Sequence, residues 1–197
     1  MRCFKCKKLS LEPICKDCEK LYLIPTPINK KVGALDVISI FNYYSVSEFI
    51  KSKYHLSGYK IYKFLAKKYI NPTLKEYLNN QPNKIYLIGV DESFKREYSL
   101  ISLLMHYGAK DIKPLKIIHS ALEAKNKVSY AGKSLEFRLK NPRDFKYNGP
   151  KNIKAILIDD LITTGTTLQE AYILLQKYNI SVEFALTLAN VDKGIDY

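Results

Sequence analysis

One stretch of the chain carries acidic and hydroxyl side chains from an apolar run into a predicted helix: Ile156-Leu157-Ile158-Asp159-Asp160-Leu161-Ile162-Thr163-Thr164-Gly165-Thr166-Thr167-Leu168. Consecutive apolar residues before Asp159 predict a strand buried on both faces, and the apolar spacing after Thr167 predicts an amphipathic helix. In α/β proteins, ligands bind beyond the carboxyl ends of such strands, where a loop leads into a helix. The sequence therefore predicts a ligand site at this loop.

The same alternation of strand and helix patterns recurs along the 197 residues. Gly108 follows one of the helical patterns, where a C-terminal cap is expected. Strands alternating with helices predict an α/β fold with a largely parallel sheet flanked by helices. We expect strands at 37–44, 84–90, 114–119, 153–158 and 182–188, and helices around 59–69, 100–107 and 168–175.

The loop residues are suited to holding a phosphate group. The backbone amides at the start of the following helix, together with the helix dipole, attract anions. Gly165 lets the backbone approach a ligand closely, and four threonine side chains add hydroxyl groups. An ordinary threonine N-cap is the alternative interpretation. The candidate phosphate-binding residues are Thr163, Thr164, Gly165, Thr166 and Thr167.

Asp159 and Asp160 stand at the predicted end of the strand, just before this loop. Their carboxylates can accept hydrogen bonds from a ribose diol or hold a hydrated Mg²⁺ ion. A solvated acidic turn without a ligand is the alternative. We take both aspartates as candidate catalytic and substrate-binding residues.

All four cysteines lie within the first eighteen residues, as Cys3-x-x-Cys6 and Cys15-x-x-Cys18. Two such pairs are typical of a structural zinc site, because four thiolates complete a tetrahedron and leave no position for a reactive water. Disulfides and a redox dithiol are the alternatives. Since this short segment has no core of its own, we expect the metal to supply its folding free energy.

The chain divides into two parts at a proline-containing connector. Pro25 and Pro27 restrict the backbone to extended conformations. We therefore expect a zinc-binding module at residues 1–24 and the main α/β domain at residues 31–197. The chain shows no apolar stretch long enough to span a membrane and no secretory signal at its start, so we expect a cytoplasmic protein.

The formal net charge is +13 at pH 7, but only four of the 32 basic residues are arginines. A positive field attracts polyanions such as nucleic acid. Scattered lysines are equally typical of a soluble surface, and arginine is the residue favoured for bidentate phosphate contacts. Both interpretations of the charge stay open.

The segment 156–167 resembles the signature of the type I phosphoribosyltransferases, in which an apolar strand and two acidic residues precede a Thr-Thr-Gly-x-Thr loop. The resemblance implies that residues 163–167 hold the 5′-phosphate of 5-phosphoribosyl 1-pyrophosphate, bound with Mg²⁺. It also implies that Asp159 and Asp160 hold the ribose hydroxyls. The family's reaction replaces the pyrophosphate at the anomeric carbon with a nitrogen nucleophile.

Together with the two cysteine pairs, this signature is similar to that of the ComF family of competence-associated proteins. The segment from Lys53-Tyr54-His55 to Gly58, and Arg138-x-x-Asn141 with Phe145, also resemble segments of that family. The resemblance implies a role in natural transformation, in which incoming single-stranded DNA is handled together with helicase and recombination proteins.

The chain departs from the family after the strand predicted at 84–90. Where the family has an Arg-Gly-Phe-Asn sequence at its pyrophosphate loop, only Arg96 and the aromatic Tyr98 persist, and Arg96 is the candidate contact for pyrophosphate. Asp91 and Glu92 would repel pyrophosphate unless Mg²⁺ lay between them. Whether the chain is an enzyme therefore stays open. The alternatives to a ComF-like role are a nucleobase salvage phosphoribosyltransferase and a non-enzymatic single-stranded DNA-binding protein on the same fold.

Overall fold

The computed structural model describes residues 1–79, 83–90, 99–126, 128, 130 and 134–191. Seven α-helices lie in these ranges: α1 (Lys16–Tyr22), α2 (Tyr43–Lys51), α3 (Gly58–Leu65), α4 (Asn71–Leu78), α5 (Leu100–Gly108), α6 (Leu135–Lys140) and α7 (Thr166–Gln176). The strands in the same ranges are β1 (Ile28–Val32), β2 (Leu35–Asn42), β3 (Ile85–Gly89), β4 (Leu115–Ile118), β5 (Leu122–Ala124), β6 (Phe145–Tyr147), β7 (Lys154–Ile162) and β8 (Ser181–Asn190).

The main sheet has the strand order β1-β2-β8-β7-β3-β4. Its strands are parallel except for the antiparallel pair β1 and β2, and β5 pairs with β6 in a separate two-stranded sheet. Helices flank the main sheet. The predicted α/β class with a largely parallel sheet is thus confirmed. Within the described ranges, every helix is too short or too polar to cross a lipid bilayer.

Two apolar layers cover the two faces of the main sheet. One layer packs the sheet against a helical unit that runs from α2 to α4 and includes α5. A 3₁₀ turn (Ser52–Tyr54) and a π-helical segment (Ala66–Ile70) lie within this unit. The other layer packs the sheet against α7 and the two-stranded sheet of β5 and β6. Strands β7 and β8 lie at the centre of the sheet and contribute to both layers, which buries the middle of β7 and leaves Asp159 and Asp160 half-buried near its end.

Three boundaries differ from the sequence-based expectations. Tyr43 and Tyr44 begin α2 instead of ending β2, because the Asn42 side chain accepts a hydrogen bond from the Tyr44 amide and so caps the helix. Gly108 is the last residue of α5 and not its cap. A Cβ atom there would lie 2.5 Å from Cγ2 of Ile70, so the glycine allows α5 to pack closely against the π-helical segment.

Strand β7 is the third difference. It runs to Ile162, four residues beyond its predicted end, so both aspartates of the signature lie inside the strand. The extension has a backbone cause, since Leu161 and Ile162 pair with Ala189 and Asn190 of the long strand β8. The carboxylates are therefore held by the sheet itself and not by a turn.

Candidate functional site

The loop after β7 joins the central strand directly to α7. Gly165 is the N-cap residue of α7 and has a left-handed conformation, with φ of 84°. The first helical hydrogen bond runs from the Gln169 amide to the Gly165 carbonyl, so the amides of residues 166–168 precede it and lie at the positive end of the helix. No threonine side chain caps the helix, so the simple N-cap alternative is wrong.

The loop is packed against β1 at its glycine. A Cβ atom at position 165 would lie 2.7 Å from Cγ2 of Val32. The hydroxyl oxygens of Thr164 and Thr166 lie 3.2 Å apart, on either side of Gly165. The predicted candidate phosphate-binding residues are therefore adjacent in space as well as in sequence.

Two cations converge on Thr163, at the start of the loop. Arg138 of α6 donates a hydrogen bond from Nη1 to Oγ1 of Thr163, at 2.6 Å. Lys30 of β1 donates from Nζ to the Thr163 carbonyl oxygen, at 3.3 Å. Arg138 was identified in the sequence only through a family resemblance. Lys30 was missed because it precedes Thr163 by 133 residues and lies in no recognisable motif.

Asp160 is held by two donors from the helical unit. Lys53 Nζ lies 2.8 Å from Asp160 Oδ2, and the Tyr62 hydroxyl donates to the same oxygen at 2.9 Å. Side-chain exposure is 23% for Lys53 and 13% for Asp160, so water screens this ion pair only in part. Asp160 is thus joined to elements that precede it by about a hundred residues.

The ionisation of both donors follows from these contacts. Burial lowers the pKa of Lys53, but the charge of Asp160 and the hydrogen bond to it outweigh burial and raise that pKa above its usual range. Burial, the charge of Asp160 and the hydrogen bond to it all raise the pKa of Tyr62. Lys53 is therefore charged and Tyr62 protonated at neutral pH, so both can donate.

Asp159 has different surroundings from Asp160. Its Oδ1 atom accepts a hydrogen bond from the backbone amide of Asp160, at 2.7 Å. Asp159 is half-buried, and its pairing in the sheet is with Thr187 of β8. The two adjacent aspartates therefore have different hydrogen-bond partners, a distinction that sequence spacing alone does not show.

The predicted pyrophosphate contact falls outside the described residues. Arg96, together with Asp91, Glu92 and Tyr98, belongs to the stretch 91–98, which the structure does not describe. Arg96 therefore stays a prediction.

The four cysteines come together in one cluster. Their sulfur atoms all lie within 4.8 Å of one another, and the Cys6 and Cys15 sulfurs are 3.6 Å apart. In a tetrahedral zinc tetrathiolate the sulfurs are about 3.8 Å apart, given Zn–S bonds of about 2.3 Å. The cluster therefore has the geometry to hold a metal ion such as zinc.

Proton affinity differs sharply within this cluster. Burial raises the pKa of Cys3, but hydrogen bonds from the backbone at Cys15, Cys6 and Lys5 outweigh it and lower the pKa to about 6. Burial and hydrogen bonds with the other thiols raise the pKa of Cys18 to about 12. The Cys3 thiol thus loses its proton more readily than the Cys18 thiol, and a bound cation would favour loss of the remaining protons.

The cysteine module is attached to the helical unit by side-chain contacts. Lys5 Nζ lies 2.7 Å from Glu48 of α2, and the Phe4 ring lies 6.0 Å from that of Phe49. The Tyr69 hydroxyl donates to the Leu23 carbonyl, at 3.2 Å. The module therefore packs on the same unit that supplies Lys53 and Tyr62.

A group of tyrosines and lysines lies on the surface between α3 and α5. The hydroxyls of Tyr59 and Tyr107 are 3.0 Å apart, and Lys63 Nζ lies 4.9 Å from the Tyr107 ring centroid. Lys67 Nζ lies 5.5 Å from the same centroid, and His106 packs edge-on against that ring. We call these five residues the tyrosine-lysine patch.

No protein-family model and no curated protein matches the chain. A hypoxanthine phosphoribosyltransferase from Staphylococcus aureus is similar in structure, at 18% identity and a TM-score of 0.41, with 66% of this chain and 62% of that chain covered. The chain thus spans less than two thirds of that enzyme's length.

Two adenine phosphoribosyltransferases are similar over more of their length. One matches at 13% identity and a TM-score of 0.43, with 88% of this chain and 89% of that chain covered. The enzyme from Saccharomyces cerevisiae matches at 11% identity and a TM-score of 0.39, with 87% of this chain and 86% of that chain covered. Likenesses at these TM-scores do not identify the family or the function of this chain.

Proposed function

We propose that the main domain, residues 31–197, binds a phosphoribosyl ligand at the carboxyl end of β7, in the manner of a type I phosphoribosyltransferase. The observation that carries the proposal is the loop 163–167, in which a left-handed glycine starts α7 beside two cations. The loop amides and threonine hydroxyls would hold the 5-phosphate, and Arg138 and Lys30 would offset its charge.

The two aspartates would bind the sugar. An ionised carboxylate accepts hydrogen bonds from hydroxyl groups, and a ribose diol offers two adjacent donors. Lys53 lies 2.8 Å from Asp160 Oδ2, so that oxygen is a poor ligand for a divalent cation. Mg²⁺ would therefore be held through the diphosphate of 5-phosphoribosyl 1-pyrophosphate and through hydrated contacts of Asp159.

Where the chain is an enzyme, the reaction is displacement at the anomeric carbon. The bond from that carbon to the pyrophosphate oxygen breaks, pyrophosphate leaves with the electron pair, and a nitrogen nucleophile forms the new bond. Asp159 and Asp160 would stabilise the positive charge that develops on the sugar. The same chemistry is compatible with two functions. One is a role in natural transformation, and the alternative is salvage of a purine or pyrimidine base.

Calorimetry tests the ligand. The protein should bind 5-phosphoribosyl 1-pyrophosphate with Mg²⁺ more tightly than ribose 5-phosphate if a pyrophosphate pocket is present, and Asp160→Asn should weaken both. Failure of wild-type protein to bind either compound would contradict the proposal. Release of pyrophosphate in a screen of common bases would identify a salvage enzyme, and equal affinity for the two compounds would indicate a binding protein.

The cysteine cluster would hold one structural Zn²⁺ through Cys3, Cys6, Cys15 and Cys18. The support is the mutual distance of the sulfurs, all within 4.8 Å. With four thiolates the ion has no position for water, so it would stabilise the N-terminal module and take no part in chemistry at β7.

A second proposed activity is binding of single-stranded DNA, as a ComF-like role requires. The tyrosine-lysine patch favours it, because aromatic rings stack on bases while lysines contact phosphates. Helicase and recombination partners stay a hypothesis from the family resemblance.

The patch can be tested by fluorescence anisotropy with an oligo-dT strand over a range of salt. Replacing Lys63 and Lys67 by alanine should reduce the salt slope by about 1.4, because each single-strand phosphate that a lysine neutralises adds about 0.7 to the slope. The control replaces Lys146 and Lys177, two exposed lysines in β6 and directly after α7, elements that pack in the opposite layer of the sheet. Equal slopes for both double variants would exclude the patch as the binding surface.

A further inference from the structure

We propose that Lys53 is a positioning residue that makes the sugar site specific for ribose over 2-deoxyribose, by fixing Asp160 with the help of Tyr62. The inference rests on the proposed phosphoribosyl function. It extends that function to a residue that touches the signature aspartate and not the ligand.

One carboxylate oxygen of Asp160 has two side-chain donors. Asp160 Oδ2 receives Lys53 Nζ at 2.8 Å and the Tyr62 hydroxyl at 2.9 Å. Two donors from separate elements define the direction of a carboxylate, because its rotation about the Cβ–Cγ bond would break both bonds. With Oδ2 held, the position of Oδ1 is set as well.

The two residues that hold Asp160 have further contacts of their own. Tyr62 is fully buried, and its hydroxyl also lies 3.2 Å from the Ile50 carbonyl oxygen, at the end of α2. Lys53 belongs to the 3₁₀ turn that follows α2, and its Nζ also lies 5.7 Å from the centroid of the Tyr54 ring. Tyr62 thus belongs to the buried core and Lys53 to the turn directly after α2, so both donors hold Asp160 without a ligand.

The negative charge of Asp160 also requires a partner. A carboxylate with 13% exposed side chain is stable in its ionised form only with a compensating cation. The Lys53 ammonium group is such a cation, with its Nζ 2.8 Å from Asp160 Oδ2. A protonated Asp160 would lose part of its capacity to accept hydrogen bonds, so Lys53 maintains the acceptor that a ribose hydroxyl requires.

Discrimination between sugars depends on such positioned acceptors. A buried acceptor that bonds the 2-hydroxyl of ribose is left without that partner when 2-deoxyribose binds. The loss of a hydrogen bond to a charged group corresponds to a ratio of dissociation constants on the order of tenfold or more. Phosphate binding by the loop 163–167 would be the same for both sugars.

The experiment measures the dissociation constants of ribose 5-phosphate and 2-deoxyribose 5-phosphate by calorimetry. Wild-type protein should prefer ribose by about tenfold, and both Lys53→Met and Asp160→Asn should reduce the preference to within about twofold. Lys53→Arg, which retains the charge and the donors, should keep the preference. Lys51→Met removes an exposed lysine two residues away and should leave the ratio unchanged.

The ratio of the two dissociation constants distinguishes a positioning role from a merely structural one. A general loss of stability would weaken the binding of both sugar phosphates alike and leave the ratio unchanged. If Lys53→Met does not fold, Tyr62→Phe carries the test, since it removes one donor and keeps the ring, and its ratio should also fall. A wild-type ratio near one, or an unchanged ratio in the variants, would overturn this inference alone. Failure of wild-type protein to bind ribose 5-phosphate would overturn the proposed function and this inference together.

Discussion

Neighbouring aspartates in this chain differ through their immediate contacts. Asp160 faces the helical unit and takes two side-chain donors, whereas Asp159 accepts a hydrogen bond from the next backbone amide. A carboxylate paired with lysine is disposed to accept from a hydroxyl, and one without that lysine is better suited to a hydrated cation. At the scale of single residues, the two carboxylates therefore have different partners, which supports the proposal that a hydrated cation would contact Asp159 and not the Asp160 oxygen that faces Lys53.

Gly165 is the residue of the loop that tolerates substitution least. Gly165→Ala should weaken binding of ribose 5-phosphate by about tenfold or more, because alanine at φ of 84° is strained by about 1–2 kcal/mol and its Cβ would meet Val32. Calorimetry measures the effect. The double variant Gly165→Ala with Val32→Ala removes the clash but not the strain. Wild-type affinity in Gly165→Ala would contradict the assignment of this loop to the phosphate.

Asn190 has a buried amide at the end of β8, beside Ile162. Within the described residues, neither its Oδ1 nor its Nδ2 has a hydrogen-bond partner. A buried polar group without a partner costs about 1–3 kcal/mol. Asn190→Leu should therefore raise the free energy of unfolding by about 1 kcal/mol in urea titrations. An unchanged or lower midpoint would mean that a buried water satisfies the amide.

At the scale of elements, the helical unit formed by α2 to α4 together with α5 connects the core with the site. The unit supplies Lys53 from its 3₁₀ turn and Tyr62 from α3. It is held against the sheet by close packing, and Gly108 of α5 meets Ile70 without an intervening side chain. Loosening this contact should therefore affect both stability and the position of Asp160.

Gly108→Val tests that connection. A valine would force α5 and the π-helical segment apart and should lower the free energy of unfolding by about 1–3 kcal/mol. The nearby Ala109→Val, at a half-buried position, should cost less. Unfolding in urea measures both. Equal effects of the two variants would contradict the close approach of these elements.

At the scale of the whole molecule, the cysteine module and the ligand site share the helical unit. Lys5 contacts Glu48 of α2, and Tyr69 reaches the Leu23 carbonyl, so the module is bound to the domain by side chains as well as by the connector. The Thr26 amide also bonds the Ile40 carbonyl, which holds the connector along β2. The module is therefore a part of the fold whose order should depend on the cysteine cluster.

Metal removal tests this dependence. Purified protein should retain one equivalent of zinc, and a strong chelator should make residues 1–24 sensitive to protease while the strands of the main sheet stay protected, since the short module has no core of its own. Limited proteolysis with mass spectrometry measures the change, and Cys6→Ser should reproduce it. A metal-free protein with an equally protected N-terminus would contradict a structural metal.

Local sequence patterns were sufficient to predict much of the structure of this molecule. The α/β class, the central strands and the cysteine cluster were predictable because apolar periodicity and the doubled Cys-x-x-Cys spacing act over short distances along the chain. The same holds for the order strand, threonine loop and helix around Gly165. Element ends were less predictable, since pairing with β8 extends β7 through Asp159 and Asp160, and the Asn42 cap ends β2 early.

Only the tertiary structure decided which side chains surround the signature. Lys30, Lys53 and Tyr62 precede their partners in the site by 133, 107 and 98 residues. Tyr62 is fully buried in the core, yet its hydroxyl also belongs to the site. Spacing along the chain determines secondary structure through local contacts, whereas the partner of a charge is determined by how the helical unit packs on the sheet.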